Sequence, residues 1–128
     1  RMTYQLAGNL DKSREFLMRV LELMPSYLEE HPDDPRGYVN YALNLAQVGR
    51  VDEARAMAMK ALELAPNDSL MQYYAACLYA AIGDLDLAVN AIAGAVNSGW
   101  KDIEWMKRDP DLDSIRSHPG YIELMKDK

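Results

Sequence analysis

The chain has 128 residues, 49% of them apolar, with 14 Lys and Arg against 20 Asp and Glu for a net charge of −6. That length bounds it to one domain with enough apolar residues for a continuous core, and the acidity makes a phosphate backbone a poor partner, because nucleic-acid binding relies on clustered cations that release counterions. No apolar run approaches the ~18 residues a membrane helix needs, and the one cysteine, Cys77, excludes a disulfide framework and fits a reducing compartment, so the expected setting is the cytoplasm.

The chain opens with Arg1 inside a helical pattern, where an initiator Met is absent, and is expected to be a fragment of something longer. Within residues 1–34 the apolar stripe Leu21, Met24, Tyr27, Leu28 predicts one long helix from about Asp11 to Glu30, kinked at Pro25. The alternative is two helices, with Pro25 in the first turn of the second.

Residues 35–68 contain a helical hairpin. Tyr38, Tyr41, Ala42, Leu45 and Val48 recur at three- and four-residue steps, one face of a helix. Gly49 supplies a residue able to turn left-handed at its end, and Asp52 is the expected N-cap of a second helix, roughly Glu53 to Leu64, which stops before Pro66.

Residues 69–100 repeat that hairpin at an offset of thirty-four. Ala42 and Ala76, Ala46 and Ala80, Gly49 and Gly83, Asp52 and Asp86, Ala54 and Ala88, and Ala61 and Ala95 are identical in register. Val48 with Ile82, Val51 with Leu85, Leu62 with Val96 and Leu45 with Tyr79 are conservative pairs. Alanines at these places let two helix backbones approach closely, and larger residues fill the gaps between hairpins. Gly99 is the expected left-handed cap of the last helix, with Trp100 folding back on it. The N-terminal segment holds a partial copy, with Gly8, Asp11 and Pro25 in the places of Gly49, Asp52 and Pro66, Ser13, Leu17 and Val20 at the small and apolar positions, and seven extra residues.

Residues 101–128 break the period, as the last hairpin of a stack must to hide its outer apolar edge. A short helix over Lys101 to Lys107 presenting Ile103, Trp105 and Met106 is expected, then a turn with one or two helical turns over Asp109 to Arg116, and a final helix from Gly120 to about Lys126 opened by Pro119.

The block Pro35 to Pro66 resembles a tetratricopeptide repeat, through Tyr38, Tyr41, Ala42, Leu45, Ala54, Ala58, Ala61 and Pro66. The following unit matches at Ala75, Ala76, Tyr79, Ala88, Ile92 and Ala95 but departs at Gln72, where a large apolar residue is usual, and at Trp100, where proline is usual. The resemblance implies an all-α fold, a right-handed superhelix of antiparallel helix hairpins (an α-solenoid) with a C-terminal capping helix. The tail from Gly99 to Tyr121 resembles the closing segment of bacterial tetratricopeptide regions attached to signalling proteins such as kinases and cyclases.

The sequence offers no catalytic constellation. Asp109, Asp111 and Asp113 alternate like the start of a calcium loop, but Ser114 stands where glycine is needed and Gly120 where the closing Glu is needed, so they read as turn and capping aspartates. His31 and His118 precede prolines far apart and read as solvent-exposed turn residues; Cys77, with no cation nearby, reads as a packing residue. Neither metal nor cofactor is expected.

A binding role has a place to act, since the first helices of successive units line the concave side of such a stack. The family's groove positions fall on Arg36, Val39, Leu43, Ala46 and Gln47, and on Leu70, Tyr73, Cys77, Ala80 and Ala81. Val39 and Leu43 replace the asparagines with which the family's best-known groove grips a peptide carboxylate, so that clamp is expected to be absent. The resemblance implies a non-catalytic module that binds a protein or peptide segment against Leu70 and Tyr73, oriented by Arg36 or Gln47. Packing of these residues against the capping segment or a neighbouring domain is the competing expectation. A structural or regulatory arm, through a homodimer or contact with a catalytic domain, is the alternative role.

Overall fold

The computed structural model describes residues 4–128, with side chains from Arg14 onward. The chain runs α1 (Tyr4–Glu30), α2 (Pro35–Gln47), α3 (Val51–Leu64), α4 (Ser69–Ala81), α5 (Leu85–Asn97), α6 (Ile103–Arg108), a 3-10 helix (Pro110–Ile115) and α7 (Pro119–Met125). Among the described residues there is no strand, and the helices form an all-α helical-repeat solenoid.

Local chemistry sets the bends. Gly49 and Gly83 have φ of 82° and 88°, and in each case the next residue closes the helix end, Arg50 N–H donating to the Leu45 carbonyl at 3.0 Å and Asp84 N–H to the Tyr79 carbonyl at 2.9 Å. Those bonds satisfy carbonyls that the helix end would otherwise leave bare. The same motif ends α5, with Trp100 N–H on the Ala95 carbonyl at 2.9 Å. At the other ends Asp34 accepts from Arg36 N–H at 3.1 Å, and Asp68 from Leu70 and Met71 N–H at 3.0 and 3.1 Å, so α2 and α4 each start from an aspartate cap.

The hairpins α2–α3 and α4–α5 pack through the alanines. Ala42, Ala54, Ala58, Ala61, Ala76, Ala88 and Ala95 are buried, with Leu45, Leu78 and Ile92 filling the space between rods. Gln72 fits the place of a large apolar residue because Gly94 faces it: a Cβ at Gly94 would lie 3.1 Å from the Gln72 amide.

Three expectations need correction. Asp52 does not cap α3, because the tight Gly49–Arg50 turn starts the helix at Val51; Asp52 sits in the first turn, where its charge suits the helix N-terminus, and pairs with Arg55 at 2.9 Å. Helix α1 passes through Gly8 instead of bending there, since a glycine permits a left-handed turn without enforcing one; the roles assigned to Asp11 and Ser13 concern side chains outside the described ones. In the closing segment Met106 is buried while Trp105 is 42% exposed, because a six-residue helix turns only one face to the core. Pro25 lies inside α1, where its ring removes the N–H that would bond the Leu21 carbonyl.

Candidate functional site

Helices α2 and α4 run side by side on one face of the stack, and α1 closes one side of it. Between the three lies a cleft of about 600 Å³, walled by Met24 and Tyr27 of α1, Val39 and Leu43 of α2, and Met71 and Tyr74 of α4, with Arg36 and Asn40 on its polar edge. Gly37 lets α1 come this close, for a Cβ there would lie 3.0 Å from both Tyr27 and Leu28. Asp34 fixes the end of the cleft: it accepts the Tyr27 hydroxyl at 2.5 Å, a bond that holds the Asp34 carboxyl below its usual range and raises the Tyr27 hydroxyl above its own. A second cleft of about 300 Å³ continues past Leu43 between α2 and α4, lined by Gln47, Cys77, Ala81 and Ile82 and reaching Asp111 of the 3-10 helix.

The structure therefore divides the groove residues named from sequence. Arg36 and Gln47 are exposed, and Leu43 and Cys77 are half-buried at the two cleft walls. Val39 is buried at the floor of the first cleft against Ala61 and Met71, and half-buried Leu70 packs on the same cluster without lining either cleft.

Tyr73 is taken by the closing segment. It is buried, its ring stacks on Trp100 with centroids 4.1 Å apart, and its hydroxyl donates to Asp109 at 2.6 Å. Burial and the adjacent Asp109 carboxylate raise the Tyr73 hydroxyl well above its ordinary value. Met24, Tyr27, Asn40, Met71 and Tyr74 also line the first cleft, outside the groove positions expected from the sequence. The three-four spacing gives the side of each helix but not which neighbour stands beside it, and α1 reaches the cleft because Gly37 lets it pack close to α2.

The 3-10 helix lies along α4 and occupies the flank a further first helix would take. Asp109 is the buried anchor: one oxygen takes the Tyr73 hydroxyl, and the other caps the 3-10 helix from Asp111 N–H at 2.9 Å. Arg116 donates to the Met106 and Asp109 carbonyls at 3.1 and 2.8 Å and pairs with Asp113. Asp109 and Asp113 are thus structural partners within the cap. Cys77, Asp109 and Asp111 approach within 4.8 Å of one another, but both Asp109 oxygens already have donors, and burial followed by the two carboxylates pushes the Cys77 thiol up to about 12.

His118 is not the open turn residue expected. Its Nδ1 accepts from Gly120 N–H at 2.9 Å and caps α7, and its Nε2–H donates to Asp86 at 2.6 Å, so the ring fastens α7 to the first turn of α5. His31 is exposed and lies against the Tyr27 ring at 4.4 Å.

With hairpins, bends and clefts in place, sequence comparison gives the family. A profile described as tetratricopeptide repeat matches residues 2–67. The chain belongs to the tetratricopeptide repeat family. Repeats of this family are non-catalytic modules that mediate protein–protein interaction. This tetratricopeptide repeat chain is also similar to a chloroplastic protein of Arabidopsis thaliana, 26% identical over 87 residues, covering 66% of the chain and 26% of that protein. It spans about a quarter of that relative's length. Among the described residues no helix of this tetratricopeptide repeat protein is long and apolar enough to cross a membrane.

Proposed function

We infer that the chain is a docking module that holds a short segment of a partner protein in the cleft between α1, α2 and α4. The observation carrying this reading is the composition of that cleft: an apolar floor of Val39 and Met71, walls at Leu43, Tyr27, Tyr74 and Met24, and a polar edge of Arg36 and Asn40 with Asp34 at the end, its carboxylate taken up by the Tyr27 hydroxyl. Ligand sites of this kind take affinity from apolar anchors and orientation from a few polar groups. The partner segment inserts a large apolar side chain over Leu43 and Tyr74 and sets a carboxylate, from an Asp, a Glu or its own C-terminus, at Arg36. Gln47 and Cys77 in the second cleft receive its continuation, while Leu70 and Tyr73 hold the floor and the cap from behind. Nucleic acid does not fit an acidic chain of net charge −6. A bacterial cytoplasm is the setting we propose, on the tail's resemblance and the free Cys77 thiol.

The test is selection of a displayed random-peptide library on the purified chain. Enriched peptides pair an acidic group with a large apolar residue, and their binding drops about tenfold or more on Tyr74→Ala and on Arg36→Glu, the loss of one anchor at an interface centre being worth ~1.4 kcal/mol or more. Peptides that bind both variants as well as the parent place the site elsewhere.

A further inference from the structure

Among the described residues no helix covers the face of α1 that carries Phe16 and Leu23. The inner stripe of α1, Leu17, Leu21, Met24 and Leu28, packs into the core with α2. The outer stripe is Phe16, half-buried Val20, Leu23 and, at the end where α2 approaches, Tyr27, with Phe16 70%, Leu23 61% and Tyr27 39% exposed. Phe16 is the chain's one phenylalanine.

The repeat explains why this face is apolar. The second half of α1 stands thirty-four residues before α3, so Pro32, and not Pro25, takes the place of Pro66 with no insertion, and Pro32, Asp33, Asp34 precede α2 as Pro66, Asn67, Asp68 precede α4. In α3 the counterparts of Val20 and Tyr27 are Ala54 and Ala61, each 0% exposed, and that of Leu23 is half-buried Met57, while that of Phe16 is Arg50, outside α3. Helix α1 therefore carries the face of a second helix, and no first helix covers it among the described residues.

We propose that this face pairs with the same face of a second copy, α1 lying antiparallel to α1 about a two-fold axis beside Leu21 and Glu22. The stripe reads the same in both directions: aromatic, aliphatic, aliphatic, aromatic, at steps of four, three and four. A two-fold operation sets Phe16 against the partner's Tyr27 and Val20 against the partner's Leu23, each contact made twice, as an isologous interface requires. The same operation carries Arg14 and Arg19, in a half of α1 that also holds Glu15, alongside the acidic half, with Glu22, Glu29 and Glu30. A parallel pairing would put like charges together. The apolar seam runs ~17 Å along the helix at 1.5 Å per residue, which belongs to the small class of interfaces and sets a reversible dimer.

Tyr27 borders both the seam and the first cleft, whereas Phe16 and Leu23 line neither cleft, so substitutions at those two residues read pairing apart from peptide binding. The test is sedimentation equilibrium of the whole chain across a concentration series, with circular dichroism to check folding. The parent, 14.5 kDa as one chain, shifts toward ~29 kDa, the mass of a two-fold pair, as concentration rises. Leu23→Glu and Phe16→Glu hold it at the mass of a single chain with unchanged helicity, and Met59→Glu, on the exposed side of α3, leaves the shift intact. A parent that stays monomeric at every concentration, its outer face then free for some other protein, overturns the proposal. So does a dimer that survives both α1 substitutions.

Discussion

The Tyr73 hydroxyl meets the Asp109 carboxylate at 2.6 Å across thirty-six residues of chain, inside a core where Asp109 is 4% exposed. This bond, with the Trp100 ring stacked on Tyr73, locks the closing segment onto α4. Tyr73→Phe keeps the stack but removes one of the two donors to a buried carboxylate, and is expected to lower stability by about 1–3 kcal/mol. Urea unfolding measures it, and a double-mutant cycle with Asp109→Asn isolates the pair. A Tyr73→Phe variant as stable as the parent contradicts the anchoring role.

Stability should fall on the alkaline side through Cys77. The thiol's ordinary value is 9.0 and the fold pushes it up to about 12, burial being the first cause. Between those values the unfolded chain has released a proton that the native chain still holds, so the stabilisation is complete below pH 9 and is lost as pH rises toward 12. Comparing the urea midpoint of the parent and of Cys77→Ala at pH 8 and pH 10 separates this group from the tyrosines. The parent should lose more between the two. Native Cys77 should also react slowly with iodoacetamide at pH 8, since the thiolate is the nucleophile.

Two glycines serve different ends. Gly83→Ala forces an alanine to φ 88°, a left-handed conformation that costs about 1–2 kcal/mol. Gly120→Ala puts a Cβ 2.9 Å from the Val89 side chain, so α7 must move off α5; overpacking of this kind costs about 1–3 kcal/mol. Thermal melts of both variants should show losses, with the Gly120 variant also weakening the His118–Asp86 contact seen by NMR of the imidazole.

Gln72→Met should leave stability unchanged or raise it by up to about 1 kcal/mol, because it removes a buried amide oxygen without a hydrogen-bond partner and restores the apolar residue this position normally carries. The lost bond from the Gln72 amide to the Pro66 carbonyl is exposed and replaceable by water. A drop above about 1 kcal/mol in the unfolding free energy would show that the amide holds the α3–α4 turn.

Arg55 of α3 reaches Asp84 at the start of α5 at 2.5 Å, which is why Asp84 sits at the N-cap position without a side-chain cap bond. Both side chains are about 30% exposed at most. Asp84→Asn should cost about 1 kcal/mol or less, an amount that shrinks as salt screens the pair. Unfolding at two salt concentrations checks it.

The repeat was legible because it is written in local chemistry. Gly49, Gly83 and Gly99 mark bends through backbone freedom alone, and the alanines at thirty-four-residue spacing announce where helices touch; helix starts are less legible, since Asp52 does not cap α3 while Asp34 and Asp68 cap α2 and α4. Such signals act over a few residues, so the chain itself contains the information. The cap boundaries near Pro110 and Pro119 followed for the same reason. What the sequence could not decide was which surfaces stay open. Tyr73 and Val39 stand at the same register on their helices, yet Trp100 and Asp109 take up one while the other forms the floor of a cleft. His118 finds Asp86, and Tyr27 enters the cleft, through the angles at which whole helices cross. Those angles are set by summed side-chain packing across the core, a property of distant residues acting together, and no stretch of the chain encodes them alone.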